Sequence, residues 1–213
     1  YESHKRAIRA IEAGVFKEQI VPVVTRVGRN EVTIDTDESP RADASLEDMA
    51  KLKPIFVKDG SVTAGNSCPM NDGAAAVVIM SKDKADELGI PYLLKVKGFA
   101  TVGLDPAIMG LGPIYAVQKL LKKTGVSLDE VEMIELNEAF ASQSIGCIEE
   151  LGLDPARVNP NGGAIALGHA LGATGAVLTT KAAYAMKNSE RKYAIVTMCV
   201  GGGEGSAALF ERP

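Results

Sequence analysis

Residues Asn161–Ala176 read N-G-G-A-I-A-L-G-H-A-L-G-A-T-G-A, a bend that holds five glycines and His169, one of two histidines in the chain. An alanine-rich stretch, Ala176–Met186, follows and is apolar on most of its circumference, as a buried helix is. Next comes a nearly continuous apolar run, Tyr193–Val200, which carries Cys199 and empties into Gly201-Gly202-Gly203-Glu204-Gly205. With Ser206–Phe210 as a further strand, this order predicts an α/β layer closed by a strand pair.

Working upstream, the alternation continues. The pattern predicts a helix over Glu138–Leu151, a strand over Val131–Leu136 and a helix opened by Gly112-Pro113. That helix sets Ile114, Val117, Leu120 and Leu121 on one face, Lys122 and Lys123 at its C-terminal end, and Gly125 as its stop. Asp105-Pro106 opens another helix, and Leu93–Val102 reads as a strand. The fold class is therefore α/β, with helices on both faces of the sheet.

The first ninety residues are less regular. A helix is expected over residues 1–14, closed by Gly14, then strands Ile20–Val24 and Glu31–Ile34 around Gly28-Arg29-Asn30. Asp35–Ala44 is a polar loop and Leu46–Leu52 a short helix. The bend Gly65–Asp72 leads into Gly73–Met80, a short apolar run expected to be a buried strand, and Ser81–Leu88 is a capped helix closed by Gly89. The chain opens on Tyr1 with apolar residues already at helical spacing, which reads as a piece that starts inside a helix.

At 213 residues, 46% hydrophobic, the chain has matter for one large domain or two small ones. Lys and Arg number 23 against 27 Asp and Glu, a net charge of -4, so nucleic acid is not expected as a partner. The longest fully apolar run, Ala74–Met80, is far short of a membrane span, no signal peptide is visible, and no membrane partner is expected. Cys68, Cys147 and Cys199 are odd in number, widely spaced and outside any metal-ligand pattern. Reduced thiols, a cytoplasmic location and no metal follow as expectations.

Four positions stand out chemically. Asn137, between a strand and a helix, is suited to an N-cap, but a helix N-terminus at a strand's end is also where α/β proteins aim functional side chains. His169 taken singly reads as a hydrogen-bonded core histidine, but it sits among glycines that allow close backbone approach, and near a helix N-terminus its ring stays neutral, as a general base must. Cys199 is either a small buried hydrophobe or an exposed thiol at a strand mouth, two residues before the Gly201 amide as an oxyanion donor. Cys147 reads as packing. The glycine clusters match neither a phosphate-cradling P-loop nor the G-x-G-x-x-G dinucleotide pattern, since the last position of the latter is Ser206.

With these residues in view, the chain resembles the thiolases, the family of acetyl-CoA acetyltransferases and 3-ketoacyl-CoA thiolases. N-E-A-F-A at 137–141, G-G-A-I-A-L-G-H at 162–169 and C-V-G-G-G-E-G at 199–205 match three family motifs in order. T-A-G-N-S-C-P-M-N-D-G-A at 63–74 and G-x-D-P-A-I-M-G-x-G-P at 103–113 also look like thiolase. The resemblance implies a layered α/β/α thiolase-like fold with a mixed sheet. Residues 1–70 would end a loop domain, 71–91 would be the last strand and helix of the N-terminal domain, and 92–213 would be the C-terminal domain.

It also implies roles. His169 would deprotonate the acyl-accepting nucleophile, and Cys199 would move the proton at the α-carbon of acetyl-CoA. Asn137 would hold a water that shares an oxyanion site with His169, and the Gly201 amide would serve a second one. Each preorganised donor of this kind is worth on the order of 3 kcal/mol of barrier. Arg41, Phe56, Ala64, Cys68, Ala139 and Phe140 would line the coenzyme A site, with Arg41 at its nucleotide end. Coenzyme A thioesters would be substrates, with no prosthetic group, and a homo-oligomer is expected.

The chain departs from the family in three ways. His169 is followed by Ala170 where the motif usually has proline, and Cys68 stands where some thiolases have serine. The family's nucleophilic cysteine belongs to an N-terminal half, and Cys68, Cys147 and Cys199 all map elsewhere. The resemblance therefore implies the C-terminal portion of a thiolase, inactive by itself and completed by the missing half. A non-catalytic acyl-CoA- or lipid-binding partner is the alternative. A ketoacyl synthase is disfavoured because those enzymes use a second histidine where Cys199 stands.

Overall fold

The computed structural model describes residues 1–213. Four strands form one sheet in the order β3-β6-β5-β4: β3 (Lys95–Gly103), β4 (Val131–Leu136), β5 (Tyr193–Val200) and β6 (Glu204–Glu211). β4 and β5 run parallel, whereas β5–β6 and β6–β3 are antiparallel, so the sheet is mixed. The nearly unbroken apolar run of β5 sends apolar side chains to both faces, which explains why the sheet is covered on both sides. Ile195 joins Leu136, Leu209, Ile114, Val117 and Leu120 on the face covered by α4 (Gly112–Thr124) and α5 (Ala141–Leu151). Ala194 and Val196 join Met133, Phe210, Leu178, Ala182 and Met186 on the face covered by α7 (Thr174–Lys187). Fully burying a Leu or Ile contributes about 1.5–3 kcal/mol each, which makes these two cores the main support of the fold.

The local signals behind α4 hold in detail. Pro113 stands in its first turn, Lys122 and Lys123 in its last, and Gly125 caps it in the left-handed conformation at φ 72°. Its N-terminus meets the start of β6 backbone to backbone. A Cβ added to Gly205 would lie 2.1 Å from the Gly112 carbonyl oxygen, so both positions are glycine by contact and not by turn preference.

Before the sheet, α1 (Glu2–Glu12) packs on the short α6 (Ala164–Leu167), burying Ala7 and Ala10. Arg6 and Arg9 of α1 donate to the carbonyls of Val158 (2.6 Å) and Pro160 (3.1 Å). β1 (Val23–Val27) and β2 (Asn30–Ile34) form an exposed antiparallel hairpin, and Ser45 caps α2 (Leu46–Ala50). Ser81 likewise caps α3 (Lys82–Leu88).

Several expectations are corrected. The first hairpin strand lies at 23–27, not 20–24, and the helix at Leu46 ends at Ala50. Pro106–Leu111 is 3-10 rather than α-helical, with Ile108 out of helical conformation. The run 73–80, expected as a buried strand, forms no strand, and Val78 and Ile79 are 86% and 79% exposed. A strand exists only where a neighbour takes up its N–H and C=O groups, and no segment of these 213 residues pairs with this one. The helix expected from Glu138 begins at Ala141, with consequences for Asn137.

Candidate functional site

The C-terminal ends of the parallel strands β4 and β5 carry the two best-defined positions. Asn137 directly follows β4, and its N–H donates to the Thr197 carbonyl of β5 (3.0 Å), extending the ladder by one residue. Cys199 is two residues beyond Thr197 on the same strand. The open end of a parallel strand pair is where α/β folds place ligands.

Asn137 is not an N-cap. The N-cap of α5 is Phe140, extended and without a capping side chain, and Gln143 Oε1 accepts the Ala139 N–H just ahead of the helix at 3.1 Å. Asn137 is 1% exposed, yet neither Oδ1 nor Nδ2 has a protein partner. A buried amide in that state costs about 1–3 kcal/mol, so its presence marks a position kept for something other than stability.

The segment 66–71 ties the asparagine and histidine motifs together. Cys68 N–H donates to Ala139 O (3.1 Å), and Ala141 N–H donates to Asn66 O (2.8 Å). The Phe56 ring meets the Phe140 ring edge-on, 6.1 Å between centroids. On the other side, the His169 N–H is shared between Pro69 O and Asn71 Oδ1, each at 3.3 Å. Gly168 makes that approach possible: its φ is 93°, and a Cβ there would lie 2.5 Å from Asn71 Oδ1. Cys68, Ala139, Phe140, Phe56 and His169 are thus brought together. Ala64 lies exposed in the turn just before this segment.

Arg41 sits elsewhere on the surface. Its N–H donates to His4 Nδ1 (3.1 Å), and it lines an open groove of about 520 Å³ with Lys5, Arg6 and Arg9 of α1. A second groove of about 490 Å³ is lined by Leu46, Met49, Leu52, Asn66, Ala141 and Ile165. Asn137, His169 and Cys199 line neither.

Burial sets the protonation states. It pulls the half-buried His169 below the ordinary imidazole value, so the ring is neutral near pH 7. Burial is the cause of this shift. His169 Nδ1 lies 2.7 Å from Thr174 Oγ1. Burial pushes the Cys199 thiol up to about 11, and that of Cys68 is raised for the same reason. Gly201 is exposed at the β5–β6 turn, and its N–H enters no backbone hydrogen bond. No group of three or more His, Cys, Asp or Glu side chains is arranged to hold a metal ion.

Three supporting residues escaped the sequence reading. Glu138 accepts from Ser3 Oγ (2.6 Å), Ile165 N–H (3.1 Å) and Asn159 Nδ2 (3.2 Å), joining the asparagine motif to α1 and α6. Asn159 pairs its amide with the backbone of Leu136, accepting at 2.9 Å and donating at 2.8 Å. Lys181 of α7 donates to buried Glu135 and to the Gly162 carbonyl, both at 2.7 Å. A charge in a helix otherwise read as apolar was the one available signal, at Lys181.

The mouth of the parallel strand pair β4–β5 thus carries an unpartnered amide and a protonated thiol, and a neutral histidine is tied to the adjoining asparagine motif through segment 66–71, in an α/β protein. Comparison with known proteins specifies it: residues 90–212 match the family described as thiolase, C-terminal domain, and residues 1–83 match thiolase, N-terminal domain. The chain belongs to the thiolase family. It is 50% identical over 212 residues to the beta-ketothiolase BktB of Cupriavidus necator, covering 99% of this chain and 54% of that protein. It is 49% identical over 211 residues to the acetyl-CoA acetyltransferase of Pseudomonas aeruginosa, with the same coverage. The crystal structure of the Bacillus anthracis acetyl-CoA acetyltransferase superposes with a TM-score of 0.97 at 45% identity, covering 99% of this chain and 54% of that one. Human mitochondrial 3-ketoacyl-CoA thiolase in complex with CoA gives 0.91 at 38% identity, covering 100% and 53%. The chain spans about half the length of the relatives it matches.

Proposed function

We propose that this chain supplies the acid/base and oxyanion part of a thiolase active site, which transfers acyl groups to coenzyme A by Claisen condensation or thiolytic cleavage of 3-ketoacyl-CoA. The observation that carries the reading is the unpartnered, buried Asn137 amide at the mouth of β4, beside the strand that carries Cys199. Neutral His169 is the base toward the acyl-accepting nucleophile. Cys199, which keeps its proton at neutral pH, is the acid at the substrate α-carbon. The Asn137 amide orients a water toward the thioester oxygen, and the exposed Gly201 N–H serves the second oxyanion. Phe56, Ala64, Cys68, Ala139 and Phe140 contact coenzyme A along the 66–71 segment, and Arg41 meets its nucleotide end.

In this reading residues 1–70 complete a loop domain, 71–91 complete the N-terminal thiolase domain and 92–213 form the C-terminal one. In the same reading the nucleophilic cysteine comes from the N-terminal thiolase half; the complete enzyme is a cytoplasmic homo-oligomer with no prosthetic group. The 213-residue species alone is expected to show no thiolysis of acetoacetyl-CoA, and turnover by a homogeneous preparation refutes this. With the N-terminal half added, thiolysis is expected. His169→Ala is expected to abolish substrate labelling of the partner's cysteine; retained labelling sinks the role of His169. Coenzyme A binding by calorimetry with no turnover in the reconstituted sample favours a non-catalytic acyl-CoA-binding protein instead.

A further inference from the structure

A general base acts through one ring nitrogen, and the other must be held by something. His169 Nδ1 faces Thr174 Oγ1 at 2.7 Å, and the same hydroxyl, on the first residue of α7, lies 2.9 Å from the carbonyl oxygen of Ala170, four residues back in the turn that precedes the helix. A hydroxyl has one proton to give and lone pairs to receive. When His169 takes up a proton at Nε2, Nδ1 also carries one and needs an acceptor. The Thr174 oxygen is then that acceptor, and its own proton goes to Ala170 O. If the same chain of donors stands before protonation, no hydrogen has to be rearranged during the reaction.

Resting on the general-base role proposed above, we infer that Thr174 is a positioning residue that holds neutral His169 as the Nδ1–H tautomer and leaves the Nε2 lone pair for the substrate. Free imidazole favours neither orientation in space, so without Thr174 the ring loses both its proton register and its angle. Thr174 is 4% exposed, so water does not readily replace it.

The chain contains its own control. His4 is the other histidine, and its Nδ1 accepts the Arg41 N–H at 3.1 Å, which places its proton on Nε2. Burial lowers both rings from the ordinary imidazole value, so both are neutral at roughly pH 8. One long-range proton–nitrogen correlation spectrum of the ¹⁵N-labelled chain at that pH reads both tautomers. His169 is expected to show a protonated Nδ1 and a bare Nε2, and His4 the reverse. Thr174→Val, which keeps the shape and removes the hydroxyl, is expected to erase the His169 pattern while the His4 pattern reports that α1 and residue 41 remain folded together. Thr174→Ser is expected to restore it.

A wild-type His169 in the Nε2–H form overturns the assignment, as does a Thr174→Val spectrum unchanged at His169. In the reconstituted enzyme, Thr174→Val is expected to lower kcat about ten- to a hundredfold with KM little changed, the range seen when a hydrogen-bond partner that orients a functional histidine is removed. A tautomer change with unaltered kcat supports Thr174 as the positioning residue and removes His169 as the base, so the two readings fail separately.

Discussion

Replacing Lys181 with methionine tests how the histidine loop is fastened to the sheet. Lys181 is 6% exposed; its Nζ lies 2.7 Å from Glu135 Oε2 and 2.7 Å from Gly162 O, the first glycine of the histidine motif. Glu135 is fully buried, and its Oε1 already lacks a partner. Methionine fills the volume but leaves the carboxylate alone, and breaking one side of a buried pair costs about 3–5 kcal/mol.

The pH dependence fixes the sign. Burial raises the Glu135 pKa above its ordinary 4.5, and Lys181 opposes that rise. A carboxyl raised on folding binds more protons in the native than in the unfolded state, so stability falls as pH climbs from 4.5 through the folded value. Without Lys181 the folded value moves higher and this window widens. The penalty is therefore expected to be larger at pH 7 than at pH 5, where Glu135 is nearer to protonated.

Urea unfolding of wild type, Lys181→Met and Lys181→Met/Glu135→Leu at both pH values checks this. The double variant is expected to recover most of the loss, because apolar replacement of a whole buried pair is close to neutral. A single-variant penalty below about 1 kcal/mol, or one equal at the two pH values, refutes the assignment of a buried charge to Glu135.

Two further outcomes follow from the site. Asn137→Leu removes a buried amide without partners and is expected to raise stability by about 1 kcal/mol while the reconstituted enzyme loses activity; a destabilised Asn137→Leu chain shows that the amide is satisfied after all. In a Cys68→Ala/Cys147→Ala background, alkylation of Cys199 by iodoacetamide is expected to accelerate with pH up to about 11, since only the thiolate reacts. A rate that levels off near the ordinary thiol value, 9.0, contradicts the burial effect.

Sequence reading was sound where the deciding interactions are local. Helix α4 shows its whole logic in thirteen residues: proline at the start, an apolar stripe, lysines at the end and Gly125 beyond. Strand β5 is likewise a nearly continuous apolar run between turns, and β4 sets Val131, Met133, Ile134 and Leu136 in a short segment with two glutamates. The histidine, cysteine and asparagine motifs were visible as motifs, because each is contiguous.

Tertiary contacts decided the rest. The run 73–80 has strand composition but is a strand only with a neighbour, and backbone pairing is not written in one segment. Asn137 carries a good capping residue's chemistry, yet the helix starts at Ala141 with Phe140 as its N-cap, and the Asn137 amide is left unpartnered. Glu138, Asn159, Lys181 and Thr174 acquire their roles from partners that the fold brings within 2.6–3.2 Å. For Glu138 and Ser3 those partners are 135 residues apart in sequence. By itself the sequence determined the elements and the chemical groups, since periodicity and motif are properties of neighbours along the chain. Which groups are left unpaired, neutral or oriented depends on burial and on distant hydrogen-bond partners, and only the tertiary structure supplies those.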